Sequence, residues 1–183
     1  AAFGRVDGII HAAGTVGPDA IRPVREMDRA VRAAQFTPKL DGALWLHEAA
    51  RRFRPDFVML MSSISTVLGG LGFAAYAGAN AGLDALASLH DGDGARWISV
   101  GWDGWQFAEE AGMGRVAAAA QAFAITPEEG ARAFELALSL PFSHVIVSTG
   151  DLDQRIAAAS ASRGDAGTGA TPADKRVTAA HPR

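Results

Sequence analysis

The sequence predicts an α/β domain built on a parallel sheet, and three observations carry that prediction. Short apolar runs, at Val6 to His11, Phe57 to Met61 and Arg96 to Val100, are separated by stretches of helical character. Phe57-Val58-Met59-Leu60-Met61 is apolar without a break, as expected of a parallel strand covered on both faces. The first run closes in an Ala-Ala-Gly turn, and the third leads into Trp102-Asp103-Gly104-Trp105.

Taken in order, Val6 to His11 reads as a short buried strand and Asp19 to Arg25 as a loop. Met27 to Phe36 reads as helix, and Thr37-Pro38 can cap and start a second helical segment through Arg52. The strand Phe57 to Met61 is followed by a helix rich in Ala and Leu from Ala74 to Leu89, which His90-Asp91-Gly92-Asp93-Gly94 ends as a turn. After the strand at Arg96 to Val100, Phe107 to Phe123 is rich in small residues and is expected to form a mobile lid. Thr126-Pro127-Glu128-Glu129 combines an N-cap, a proline at the first helical position and acidic residues in the first turn. That helix is expected to reach about Leu140, with a last strand from His144 to Ser148. From Ala157 the composition shifts to small and polar residues without hydrophobic periodicity, which reads as a disordered linker over 157–183. No internal repeat is evident.

The bulk properties narrow the classes of function. At 183 residues the chain has the size of one domain or a piece of one. A net charge of −3 with scattered Lys and Arg offers no basic surface for nucleic acid. The absence of cysteine excludes disulfides and thiolate metal sites. No apolar run approaches the ~20 residues of a membrane span, and the N-terminus lacks the pattern of a secretory signal. No partner in nucleic acid or membrane is therefore expected, and a cytoplasmic location is.

The chemistry concentrates between residues 39 and 80. Ser63 precedes Tyr76 by thirteen residues, and Asn80 follows Tyr76 by four, so on a helix Tyr76 and Asn80 share one face. Tyr76 is the only tyrosine and sits among Gly and Ala, which leave room for a ligand. A phenol is a poor acid in water, with a reference pKa near ~10, but beside a cation and a hydroxyl it can donate a proton to a carbonyl oxygen that receives a hydride. Lys39, twenty-four residues before Ser63, is the candidate cation.

The pattern resembles the short-chain dehydrogenase/reductase superfamily, and within it the ketoreductase domains of modular type I polyketide synthases. The common superfamily pattern is Ser followed by Tyr-x-x-x-Lys. Here Asn80 holds the place of that Lys, while Lys39 stands upstream in Phe36-Thr37-Pro38-Lys39-Leu40-Asp41-Gly42. This exchange is characteristic of the polyketide ketoreductases and their fatty-acid synthase relatives. The likeness runs from about residue 6 to residue 156. It takes in Val6-Asp7-Gly8-Ile9-Ile10-His11-Ala12-Ala13-Gly14, Trp102-Asp103-Gly104-Trp105 and Val147-Ser148-Thr149-Gly150-Asp151-Leu152.

The resemblance implies a Rossmann-like, doubly wound parallel sheet. A reductase of this type opens with a strand, a Gly-rich turn and a helix that hold the dinucleotide pyrophosphate. No strand–GxGxxG–helix arrangement occurs here, so residues 1–156 are expected to be the C-terminal catalytic portion of such a domain, its first βαβ half lying upstream. The implied activity is NADPH-dependent reduction of a 3-oxoacyl thioester, carried on an acyl carrier protein, to the 3-hydroxyacyl form. Tyr76 would give the proton and Ser63 would hydrogen-bond the substrate carbonyl. Lys39 would assist Tyr76 and bind ribose hydroxyls, while Asn80 would position Lys39 or a proton-relay water.

Ala12, Ala13, Gly14, Lys39, Tyr76 and Trp102 are the expected cofactor contacts. Trp102 and Trp105 can equally be core filling. His11 reads as structural or as packing beside the cofactor, Asp103 carries no assigned chemistry, and His90 and His144 lack partners at metal-ligand spacing, so no metal is expected. The implied partners are the acyl carrier protein, commonly placed after such a linker, the upstream half and neighbouring synthase domains. A free-standing reductase of the same superfamily and a non-catalytic scaffold fragment are the rival readings. Product stereochemistry is not legible. Val16-Gly17-Pro18 stands where one subclass has Leu-Asp-Asp, and Leu68 where the other has tryptophan.

Overall fold

The computed structural model describes residues 4–15, 22–106 and 123–165. Four parallel strands form one sheet in chain order: β1 (Gly8–His11), β2 (Phe57–Ser63), β3 (Arg96–Trp102) and β4 (His144–Ile146). The register pairs Gly8 with Phe57, Phe57 with Arg96 and Ser99 with His144. Between β1 and β2 lie α1 (Arg29–Phe36), a π-helical turn (Thr37–Asp41) and α2 (Gly42–Phe53). Between β2 and β3 lie the short α3 (Ser65–Leu68) and the long α4 (Ala74–His90), and α5 (Pro127–Ser139) precedes β4. The chain continues into α6 (Leu152–Asp165).

The period-two alternation of β2 explains the two cores. Val58 and Leu60 pack with Ala43 and Ala50 of α2, Leu83 and Ala87 of α4, and Trp97 of β3. Met59 faces the other way, into Ile98, Val100, Trp102, Ile125 and Ala137, with Phe57 and Met61 beside it. An unbroken apolar run is therefore required, because both faces of the central strands are covered by helices.

One of the two expected helix starts holds: Thr37 is itself helical, at φ −58° and ψ −53°, so the chain runs on from α1 through the π-helical turn into α2 without a new cap, whereas the start at Thr126 forms as expected. Asp28 caps α1 by accepting from Val31 N at 2.8 Å. Thr126 and Glu129 form a reciprocal capping box at the start of α5. The α2 helix ends at Arg54, a non-glycine residue held at φ +47°.

Several boundaries differ from expectation. β1 begins at Gly8 rather than Val6, while β2 and β3 run two residues further, to Ser63 and Trp102. β4 stops at Ile146 rather than Ser148. The segment that reads as linker from Ala157 is helical as far as Asp165. Ala157-Ala158-Ala159 are strong helix formers, and Asp151 accepts from Gln154 N at 3.0 Å to start the helix. The lid over residues 107–122, the fingerprint at Val16-Gly17-Pro18 and residues 166–183 lie outside the described residues. No helix among the described residues is long and apolar enough to cross a membrane.

Candidate active site

The carboxyl ends of β1, β2 and β3 deliver the candidate residues to one end of the sheet, the edge at which parallel α/β sheets bind ligands. Ala12, Ala13 and Gly14 follow β1 and are exposed. Ser63 ends β2 opposite Trp102, the last residue of β3. Tyr76 and Asn80 lie on the first turns of α4, so the helix carries them past the same end.

Lys39 is brought to this end by the π-helical turn, which the sequence pattern does not reveal. Widening one helical turn lets the chain pass from α1 to α2 with Lys39 turned inward, and π turns are frequent at functional sites. Two close approaches hold the turn. His11 shares a hydrogen bond with the Lys39 carbonyl at 2.8 Å, and a Cβ on Gly42 would stand 2.7 Å from the His11 ring. On the other side, a Cβ on Gly82 of α4 would stand 2.7 Å from Leu40. His11 thus takes the structural reading, as a clamp on the segment that carries Lys39.

The Lys39 side chain is buried, and its ammonium donates to the Met61 carbonyl at 3.2 Å. It lies 5.8 Å from the centre of the Tyr76 ring. A Cβ on Gly14 would stand 3.4 Å from Lys39 Cε, so the β1 turn, Lys39 and Tyr76 are contiguous. Burial pushes the Lys39 ammonium below the ordinary lysine range, and the Asp84 carboxylate opposes that shift.

The Asn80 amide bonds within its own helix. Its Nδ2 donates to the Tyr76 carbonyl at 2.9 Å, and its buried Oδ1 has no partner. A buried acceptor without a partner costs free energy unless a water or ligand supplies a proton. Ser63 Oγ accepts from Ser65 N at 3.1 Å, which orients the hydroxyl at the start of α3. Ser62 is fixed elsewhere, donating to the Asn80 carbonyl at 3.3 Å. Phe73 packs edge-on to Tyr76 at 5.8 Å. Trp102 is buried against Trp105, with ring centres 5.0 Å apart, and its indole N–H has no partner.

Asp103 is the residue that sequence reasoning missed. It is buried, and Arg155 of α6 reaches it with both guanidinium nitrogens, Nη2 at 3.1 Å. Thr149 Oγ1 donates to the Phe123 carbonyl at 2.7 Å and lies 3.3 Å from the same carboxylate, and the Arg155 guanidinium lies 4.2 Å over the Phe123 ring. This network ties α6 to the loop after β3. Fifty-two residues separate the pair, so no local spacing could have revealed it.

Comparisons with known proteins bear on the fold and the family. The first ketoreductase of the tylosin polyketide synthase superposes with a TM-score of 0.72 and 26% identity, over 85% of this chain and 34% of that one. An A1-type ketoreductase gives 0.73 and 28%, over 84% and 33%. These likenesses place the fold among the Rossmann-like reductases of the short-chain dehydrogenase/reductase superfamily. The signature of the family described as "KR domain" matches residues 1–107, and the chain belongs to that family of polyketide synthase ketoreductase domains.

Curated relatives include 6-methylsalicylic acid synthase of Aspergillus niger, 37% identical over 142 residues. That match covers 73% of this chain and 8% of the synthase. Phthioceranic/hydroxyphthioceranic acid synthase of Mycobacterium bovis is 34% identical over 140 residues, or 73% of this chain and 6% of the synthase. The chain therefore spans less than a tenth of these relatives.

Proposed function

We propose that this chain is the catalytic portion of a ketoreductase that reduces a 3-oxoacyl thioester on an acyl carrier protein during polyketide chain extension. One observation carries the reading: a buried lysine, the only tyrosine and a buried asparagine with an unpartnered carbonyl meet at the carboxyl ends of three parallel strands. The residues present suit the nicotinamide–ribose end of a dinucleotide. The Gly14 backbone and the Lys39 ammonium face each other, and an unpartnered Asn80 Oδ1 awaits a donor. The bound cofactor, NADPH in this reading, supplies the hydride.

The chain's own residues do the rest. Ser63 holds the ketone oxygen, Tyr76 gives it a proton, and Lys39 beside the ring favours release of that proton. Lys39 also holds ribose hydroxyls, with the His11 bond to its carbonyl fixing where it stands. Asn80 positions a water on its free Oδ1 and replenishes the proton through it. Residues 1–156 form the catalytic portion. The stretch 157–183 is the connection toward a carrier protein, its first part taken into α6.

The test joins this chain to an upstream nucleotide-binding half and follows oxidation of NADPH, against NADH, with a small 3-oxoacyl thioester. Consumption of NADPH that is lost in Lys39→Ala supports the reading. A well-folded, cofactor-binding protein that leaves the thioester untouched favours the scaffold alternative.

A further inference from the structure

Tyr76 lies near the start of α4 and His90 at its end, fourteen residues apart and thus roughly 21 Å along the axis. At that far end, opposite the reductive site, two histidines and a carboxylate converge from separate segments. His47 comes from the middle of α2, His90 from the last position of α4, and Asp93 from the turn that leads into β3. One ligand-type atom from each lies within 4.8 Å of the others, and among the described residues this is the only such group of three. His47 Nε2 meets Asp93 Oδ2 at 2.8 Å, and the two imidazoles stack with ring centres 3.8 Å apart.

We propose that His47, His90 and Asp93 form a site for one divalent transition-metal ion of the zinc class, separate from the reductive site. Two imidazoles and a carboxylate are a donor set that suits zinc and leaves a fourth position for water. Three observations point to a ligand. His90 Nε2 is buried and has no hydrogen-bond partner, which an ion would provide. The His47 side chain is only 15% exposed, so its position is set by packing. The carbonyl end of the seventeen-residue α4 favours positive charge at this place.

The turn that presents Asp93 is built in advance. Asp93 N donates to the His90 carbonyl at 2.9 Å, and Asp91 accepts from Trp97 N at 3.2 Å. Trp97 packs against both imidazoles, at 5.4 and 6.0 Å, and because the two rings stand nearly parallel, 20° apart, one of them turns about its χ2 bond to bring both nitrogens onto one ion. Arg51 of α2 is the opposing charge near Asp93, and it is exposed, so solvent screens it. On binding, the ion takes the place of the hydrogen between His47 and Asp93, and His47 ligates as the neutral imidazole with its single N–H on the other ring nitrogen. Such an ion would pin α2 to the α4–β3 turn.

The test is calorimetric titration of the 183-residue chain with zinc chloride, and with cobalt(II) to read the visible absorption of a four-coordinate ion. One saturable equivalent per chain is expected. It should be absent in the double variant His47→Ala/His90→Ala, at least tenfold weaker in Asp93→Asn, and unchanged in His144→Ala. Magnesium should not compete. The Asp93 side chain is more than half exposed, so Asp93→Asn keeps the test valid if the double variant unfolds. No saturable binding in the parent chain overturns the proposal. So does an equivalent that survives intact in the double variant or Asp93→Asn, or one that disappears in His144→Ala.

Discussion

Replacing Arg155 by methionine removes the guanidinium that ties α6 to the loop after β3 while keeping much of its aliphatic length. The pair is well buried, with side chains 16% exposed at Arg155 and 6% at Asp103. Removing one partner of a buried ion pair costs about 3–5 kcal/mol, because the other charge is left without its partner. Here Gly104 N at 3.2 Å and Thr149 N at 3.4 Å and Oγ1 at 3.3 Å remain around the carboxylate, so the loss should lie near the lower limit, about 3 kcal/mol. At a urea slope of ~2 kcal/mol per M, the unfolding midpoint falls by about 1.5 M. The double variant Asp103→Asn/Arg155→Met should recover part of the loss, with a coupling above ~1 kcal/mol. A loss under about 1 kcal/mol for Arg155→Met, or a coupling near zero, refutes a structural role for the pair.

Arg54→Gly should stabilise the chain by about 0.5–1 kcal/mol in the same urea assay, since glycine adopts the φ of +47° at the end of α2 without a Cβ penalty. Thr126→Ala should cost ~1 kcal/mol by removing the oxygen that accepts from Glu129 N at 3.2 Å. The third prediction concerns pH. The Lys39 folded-state pKa lies below its ordinary 10.5, mainly through burial and despite Asp84, so between the two values the folded chain binds fewer protons than the unfolded one. The stability penalty is full below that window and is relieved as pH rises through it towards 10.5. Lys39→Met should flatten this rise in alkaline urea titrations, and an unchanged slope would show that Lys39 is not the group responsible.

The sheet is legible because β2 must be apolar on both faces, and five consecutive apolar residues would leave a surface strand with apolar side chains in water. Tyr76 and Asn80 are legible because four residues on one helix settle a shared face. Lys39 is legible only as a residue in a resembling motif. What brings it inward is a π turn stabilised by His11, Gly42 and Gly82, contacts that join three separate segments. The Asp103–Arg155 pair escapes for the same reason, and so does the approach of His47 to the His90–Asp93 turn, since tertiary packing alone brings those segments together. The boundary at Ala157 fails on different grounds. A run of alanines reads as small-residue linker composition, although alanine is the strongest helix former and Asp151 stands ready as a cap.

Tyr76→Phe, in a protein that joins this chain to its nucleotide-binding half, tests the central claim most directly. The substitution keeps the ring that packs edge-on to Phe73 and lies beside Lys39, and removes only the hydroxyl. Reduction of a 3-oxoacyl thioester should fall by ~10²–10⁴-fold, the usual consequence of losing a general acid. NADPH affinity should fall far less than turnover, because Lys39, the Ala12-Ala13-Gly14 turn and the Tyr76 ring itself all remain. Near-normal turnover in a folded Tyr76→Phe protein would contradict the assignment of Tyr76 as proton donor.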